Sequence, residues 1–148
     1  MSEIVQGPRI VVGVDGSAGS VLALRWALWI ARTAHASIDA VGAWEMPTEI
    51  GWQPLSPEYA PKAGLAKAVN AAVDEVFGAD RPSYVRVLIR DGHPVRVLVD
   101  ESADARMLVV GSRGHGGFAG LLLGSVSARV AERARCPVLV VHGDAVPS

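Results

Sequence analysis

Cysteine is nearly absent. Cys136 stands alone among 148 residues, which excludes an intramolecular disulfide and any cysteine-based metal centre. Lysine is almost as scarce: Lys62 and Lys67 are the only two, and neither follows a glycine loop, so the G-x-x-x-x-G-K-[ST] phosphate fingerprint is missing. The first strand-to-helix turn reads Gly13-Val14-Asp15-Gly16 and does not fit G-x-G-x-x-G. A P-loop NTPase and a Rossmann dehydrogenase are both disfavoured. Nor is there an excess of one charge. A net charge of −1 with no basic cluster offers no field for nucleic acid or an anionic membrane, so neither is an expected partner. No apolar run approaches about 18 residues without a charge, and no charged-then-apolar leader opens the chain. These absences together predict a soluble, cytoplasmic protein.

What is present is a globular composition, half apolar and one-fifth charged, in a length that suits a single domain. The whole chain, 1–148, is expected to form that domain, with a core over about 9–141 and short flexible termini. Arg9 to Asp15 reads as a strand whose β-branched run suits burial on both faces. Ser17 and Ser20 are candidate caps for a helix from Val21 to about His35. Strands are expected over Ser37–Trp44, Tyr84–Arg90, Met107–Val110 and Pro137–Val141. Helices are expected over about Ala60–Phe77, from Pro94 onward, and over about Ser125–Ala134. Arg86 and Arg90 alternate with Val85, Val87 and Ile89, which predicts an edge strand with one wet face. Strands that alternate with helices throughout imply a doubly wound, open parallel five-stranded sheet with helices on both faces. Ligands in such sheets bind outside the carboxyl ends of the strands, at the topological switch point. The turns after Val14 and Val110 are placed there.

Six of the sixteen glycines fall between positions 111 and 124: Gly111, Gly114, Gly116, Gly117, Gly120 and Gly124. Glycine lets a ligand approach the main chain closely, and successive free amides in such a loop form an anion-binding concavity. Gly124-Ser125 then opens a helix, whose first amides and dipole favour an anion. The Ser125 and Ser127 hydroxyls could cap that helix or donate to a phosphate oxygen. Arg113 adds a guanidinium suited to charge-assisted contact. The bland alternative is a flexible surface loop in which Ser125 merely caps a helix.

Gly111-x-x-Gly114, nine residues, then Gly124-Ser125 resembles the ATP-binding signature of the universal stress protein family, G-x₂-G-x₉-G-[ST]. The resemblance runs from Arg9 to Val141. It includes the first strand ending in Asp15, Val-Val-Gly-Ser-Arg-Gly at 109–114, Leu-Leu-Gly-Ser-Val-Ser at 122–127 and Cys-Pro-Val-Leu-Val-Val at 136–141. It implies an adenine nucleotide α hydrolase-like fold and an ATP site, with Mg2+ as a candidate bridge between the phosphates. In that site Asp15 would lie by the adenosine, and the end of the second strand near Ala43 would face the adenine through backbone groups. Gly111 and Arg113 would line the ribose and α-phosphate, and Val14 and Val110 belong to the same binding set. Gly114, Gly124, Ser125, Val126 and Ser127 would wrap the phosphates through main-chain amides. The implied role is a nucleotide-dependent stress or signalling module with at most slow hydrolysis. No lysine, carboxylate pair or positioned base in the loop suits strong activation of water, so no catalytic residue is assigned.

Other residues carry rival readings. Asp15 either orients a ribose hydroxyl or caps the first helix. His115 reads as a solvated loop residue, and His93 as a cap for the helix at Pro94. No histidine pair has metal-ligand spacing, and no metal site is expected. Trp26 and Trp29 are expected in the core; Trp44 and Trp52 either cover the adenine end as a lid or simply pack a long loop. Cys136 reads as a small inert apolar residue. If the resemblance holds, Val138–Val141 is an outer strand with no charge to blunt its edge, which invites pairing into a C₂ homodimer. The rival functional reading is a dimeric interaction scaffold of the same fold that uses no nucleotide. An ATP pyrophosphatase or flavoprotein-subunit reading lacks the second polar cluster such chemistry needs.

Overall fold

The computed structural model describes residues 7–45, 61–113 and 124–147. The elements run β1 (Arg9–Gly13), α1 (Ala18–Ala34), β2 (Ser37–Trp44), α2 (Pro61–Phe77), β3 (Val85–Asp91), α3 (Pro94–Glu101), β4 (Met107–Gly111), α4 (Ser125–Arg133) and β5 (Val138–Val141). The strands form one sheet in the order β3-β2-β1-β4-β5, and every pairing is parallel. The doubly wound five-stranded α/β reading therefore holds.

Alternation along each strand splits the core into two layers. Ile10, Val12, Ile38 and Ala40 turn to one face, where they pack on Leu24 and Ala27 of α1 and on Val69 and Val73 of α2. Val11, Val41, Leu108 and Val110 turn to the other, against Val95 and Leu98 of α3 and Val130 of α4. Val11, Val12, Leu108 and Val109 are inaccessible to solvent, each burial worth about 1.5–3 kcal/mol. The central strands carry continuous β-branched runs because both faces of the sheet are covered.

The chain steps outward from β1 through β2 to β3, then returns to lay β4 on the other side of β1, with β5 beyond it. The order reverses between β1 and β4. That reversal is the switch point, where crossovers diverge and leave a crevice at the carboxyl ends.

Local chemistry explains the boundaries. β1 stops at Gly13 rather than Asp15, because Asp15 Oδ1 accepts the Ser17 amide at 2.9 Å and bends the chain into a turn. Helix α1 begins at Ala18, three residues before the expected Val21. Ser17 is its cap, accepting the Ser20 amide through Oγ, while Ser20 donates its own hydroxyl to the Ser17 carbonyl. His35 closes α1 in the left-handed region at φ 54°. His93 caps α3 as expected, its Nδ1 accepting the Val95 amide, with Pro94 in the first turn.

Two expectations need correction. Trp29 is 46% exposed and stacks edge-on against Trp26, with ring centroids 6.0 Å apart. Trp26 is itself only partly buried and donates its indole N–H to the Ala145 carbonyl; the pair sits at the margin of the layer rather than inside it. The edge position of β3 is as expected, but its arginines are not simply solvated. Arg86 grips Asp39 of β2 with two hydrogen bonds of 2.9 Å, and Arg90 pairs with Glu101 at 3.0 Å.

Asp39 is the unexpected residue of this fold. It is 1% exposed on the α3 side of the sheet, and it also accepts from Arg9 at 3.0 Å. Arg9 continues to the Glu101 carbonyl at 2.9 Å and to Asp104. Burial pushes the Asp39 carboxyl up, but Arg86 and then Arg9 more than offset it, holding the group below the usual carboxylate range. The same contact raises the Arg86 guanidinium above its ordinary value.

Candidate functional site

At the carboxyl end of the sheet, the turn after β1 and the chain leaving β4 meet backbone to backbone. A Cβ placed on Gly111 would lie 2.8 Å from the Gly19 carbonyl carbon and oxygen, and one on Gly19 would lie 2.5 Å from the Arg113 carbonyl oxygen. Both distances are too short for any side chain, so glycine is required on each side of this junction. The Ser112 amide continues the ladder to Val141 at 2.8 Å, and the Gly124 amide returns to the Ser112 carbonyl at 2.6 Å. The chain that leaves β4 and the chain that enters α4 are thus tied at the root of the glycine-rich segment. Gly114, His115, Gly116, Gly117 and Gly120 lie outside the described residues, as does Trp52.

A cleft of about 220 Å3 opens between these turns. Its inner wall is apolar: Val41 and Ala43 from the end of β2, Val14 and Val110 from the ends of β1 and β4, Pro94 and Leu98 from α3. Its outer wall is polar, with Asp15, Ser17 and Ser20 on one side and Arg113, Gly124 and Ser125 on the other. Val126 and Ser127 complete the α4 side. Every residue expected from the sequence, except Gly114, therefore lies on one cleft.

Two helix starts face this space, and they differ. The start of α1 is closed by Ser17 and Asp15, as described above. The start of α4 has Gly124 as its cap and no side-chain hydrogen bond to it. The first intrahelical bond runs from the Ala128 amide to the Gly124 carbonyl. The amides of Ser125, Val126 and Ser127 precede it and have no carbonyl one turn earlier to accept them. Ser125 is exposed and Ser127 is buried. The Ser127 hydroxyl donates to the Gly111 carbonyl at 2.5 Å, so its proton anchors α4 to β4 and is not available to a phosphate. Asp15 spends one oxygen on the turn, in keeping with its capping alternative. An apolar slot beside the first-turn amides of a helix suits a flat heterocycle carrying an anionic tail.

The residues that sequence reasoning missed are Gly13, Ser17, Ser20, Val41, Pro94 and Leu98. Val41 was accessible from the two-residue period of a strand, since it shares a face with Ala43. Pro94 and Leu98 carry no local signal, because only the packing of α3 brings them to the cleft. Trp44 does not line it: its indole N–H donates to Asp91 at the end of β3. Asp91 also meets Lys62 at 3.2 Å, and the Trp44 contact followed by Lys62 lowers its pKa.

A sequence model of the Universal stress protein family matches residues 8–142. The chain belongs to this family. Universal stress protein Rv2623 of Mycobacterium tuberculosis is 38% identical over 139 residues, covering 93% of this chain and 46% of the relative. Universal stress protein Rv2005c of the same organism is 37% identical, covering 91% of this chain and 48% of the relative. The chain spans about half the length of these curated relatives. Among solved structures, a universal stress protein in complex with cAMP is similar, with a TM-score of 0.58 and 34% identity over 92% of this chain and 97% of that one. A universal stress protein from Archaeoglobus fulgidus shares the fold, with a TM-score of 0.66 at 24% identity, covering 90% of this chain and 92% of that one. Among the described residues no helix is long and apolar enough to cross a membrane.

Proposed function

We propose that this universal stress protein domain binds an adenine nucleotide, ATP in the first instance, in the cleft between β1 and β4. The observation that carries the reading is the start of α4: a glycine cap and three first-turn amides that, among the described residues, no side chain caps, set at the switch point beside an apolar slot. The base would enter between Val41, Ala43, Pro94 and Leu98. The phosphates would lie on the amides of Ser125 to Ser127, with Arg113 supplying positive charge. The Gly111, Gly114, Gly124, Ser125 spacing supports this reading, as does the similarity to a universal stress protein that holds cAMP. Among the described residues no group of three or more His, Cys, Asp or Glu side chains could hold a metal ion, so Mg2+ would be held chiefly by the phosphates themselves.

The cleft binds and positions, and hydrolysis is at most slow. Among the described residues no carboxylate pair or lysine lines it to activate water. Nucleotide occupancy then acts as a signal. The outer edge of β5, with Val138, Leu139 and Val140 only partly buried, would pair with a second copy to form a homodimer. Light scattering tests that assembly, and a monomer at micromolar concentration contradicts it.

Calorimetric titration with ATP, ADP, AMP and cAMP is the direct test of the cleft, together with mass spectrometry of nucleotide released on denaturation. Saturable binding that competes among these nucleotides is the expected result. No binding by any of them, in a protein that is folded and dimeric, would favour the scaffold reading.

A further inference from the structure

A second concavity, of about 420 Å3, lies between α3 and α4 on the outer side of the sheet. Its walls are His93, Arg96 and Asp100 from α3, and Arg129 and Arg133 from α4, over a floor that includes Val95 and Val99. Three guanidiniums thus face one carboxylate, a local excess of positive charge in a chain whose net charge is −1. The carboxylate is in loose contact with Arg96 at 3.5 Å. Arg9, Arg25, Arg81, Arg86 and Arg90 each pair with a carboxylate elsewhere in the fold. Arg129 and Arg133 enter no ion pair among the described residues.

That arrangement opposes helix stability. Like charges at i and i+4 repel along a helix face. The carboxyl end of α4 compensates Arg133, but its field fades within the last turn and does little for Arg129. A bound anion between the two helices would relieve the repulsion. His93 contributes a donor of the right kind: its Nδ1 accepts the Val95 amide, so the neutral ring carries its proton on Nε2. Guanidiniums present paired N–H groups that match phosphate oxygens, and a walled groove concentrates their field.

We propose that this groove is a second anion site, independent of the nucleotide cleft, which takes the phosphate dianion of a small molecule. Arg129 and Arg133 hold it from α4, and Arg96 closes on it from α3. Free phosphate and a small phosphate ester present the same dianion, and the test separates them.

The experiment is a titration of the folded chain with inorganic phosphate and, separately, with glycerol phosphate at low salt, followed by NMR of the arginine Nε–H groups. Saturable shifts at Arg96, Arg129 and Arg133 are expected with at least one probe. Tighter binding of glycerol phosphate would assign the site to an ester, and equal affinity would assign it to free phosphate. The paired change R129Q/R133Q, which keeps helix propensity and removes the like-charge repulsion, should weaken binding at least about tenfold while leaving the unfolding temperature in the absence of anion unchanged or slightly raised. D100N, which removes the competing carboxylate, should tighten it about threefold. Unchanged affinity in R129Q/R133Q overturns the site. Shifts confined to the amides of Ser125 to Ser127 would place the phosphate in the cleft instead and equally overturn it. Failure of ATP to bind would leave this result unaffected, because the two sites share no lining residue.

Discussion

At the amino end of the sheet, Asp39 is shut away from water and clasped by Arg86 and Arg9, each side chain using up the other's charge. At the carboxyl end, the start of α4 meets the cleft with amides that no side chain caps among the described residues, beside Gly111 and Gly124. Both regions gather polar groups beside the same apolar core. The first closes its valences within the protein and can only stabilise. The second keeps first-turn donors that no described side chain caps, and such capacity is what the proposed binding region has and the structural one lacks. The contrast extends to residue type. The structural end uses long charged side chains that reach across strands, whereas the binding end uses glycine and short serines that let a ligand touch the main chain.

The comparison breaks most sharply at Gly111. G111V would drive a branched side chain into the Gly19 backbone, 2.8 Å from where its Cβ must sit. We expect nucleotide affinity to fall more than about 100-fold and stability by about 1–3 kcal/mol, read by calorimetry and by urea unfolding. D39A attacks the other end. It strands two guanidiniums, but Arg86 is 63% exposed and can return to water, so the expected loss is about 2–3 kcal/mol, less than for a fully enclosed pair. Nucleotide affinity should stay unchanged in D39A, and a large affinity loss would mean that the two ends are coupled.

Acid offers a second route to the same pair. The folded carboxyl of Asp39 lies below its ordinary value of 3.8, so the unfolded chain binds that proton more tightly. Its stabilisation is complete above about pH 4 and is lost as the pH falls through the folded value. Thermal melts should show an acid limb below about pH 4 that flattens in D39N. R113Q probes charge in the cleft: about tenfold weaker ATP binding is expected, with little change for adenosine, as one charge-assisted contact is worth. The smallest effect should come from S127A, which removes the hydroxyl bond to the Gly111 carbonyl. About 1 kcal/mol of stability is expected to be lost, with a few-fold effect on nucleotide affinity through the loosened α4.

Much of the site was legible because its signals are local. Glycine clustering, a Gly-Ser helix start and a β-branched run are written in consecutive residues and point to the turns after Val14 and Val110 and to the segment opening α4. The residue-by-residue set of Asp15, Gly111, Arg113 and 124–127 comes from the family resemblance. The errors fall where a residue's role depends on a distant partner. Asp39 lies in the expected strand Ser37–Trp44, and only the register with β3, which sets it opposite Arg86, makes its burial tolerable. Trp29 was assigned to the core from its size and spacing, yet α1 turns it outward at the sheet margin. Ser127 was offered as a phosphate donor, and only the approach of α4 to β4 shows its proton already committed.

Sequence alone determined the class of the fold, the order of its elements and the glycine-rich segment proposed to carry an anion. Those follow from backbone preferences and hydrophobic periodicity, which act over a few residues at a time. Tertiary structure decided which polar groups remained unused, since satisfaction of a hydrogen bond depends on what arrives from elsewhere in the chain. It also supplied the inner wall of the cleft, because Pro94 and Leu98 come within reach of Ala43 only when α3 docks on the sheet.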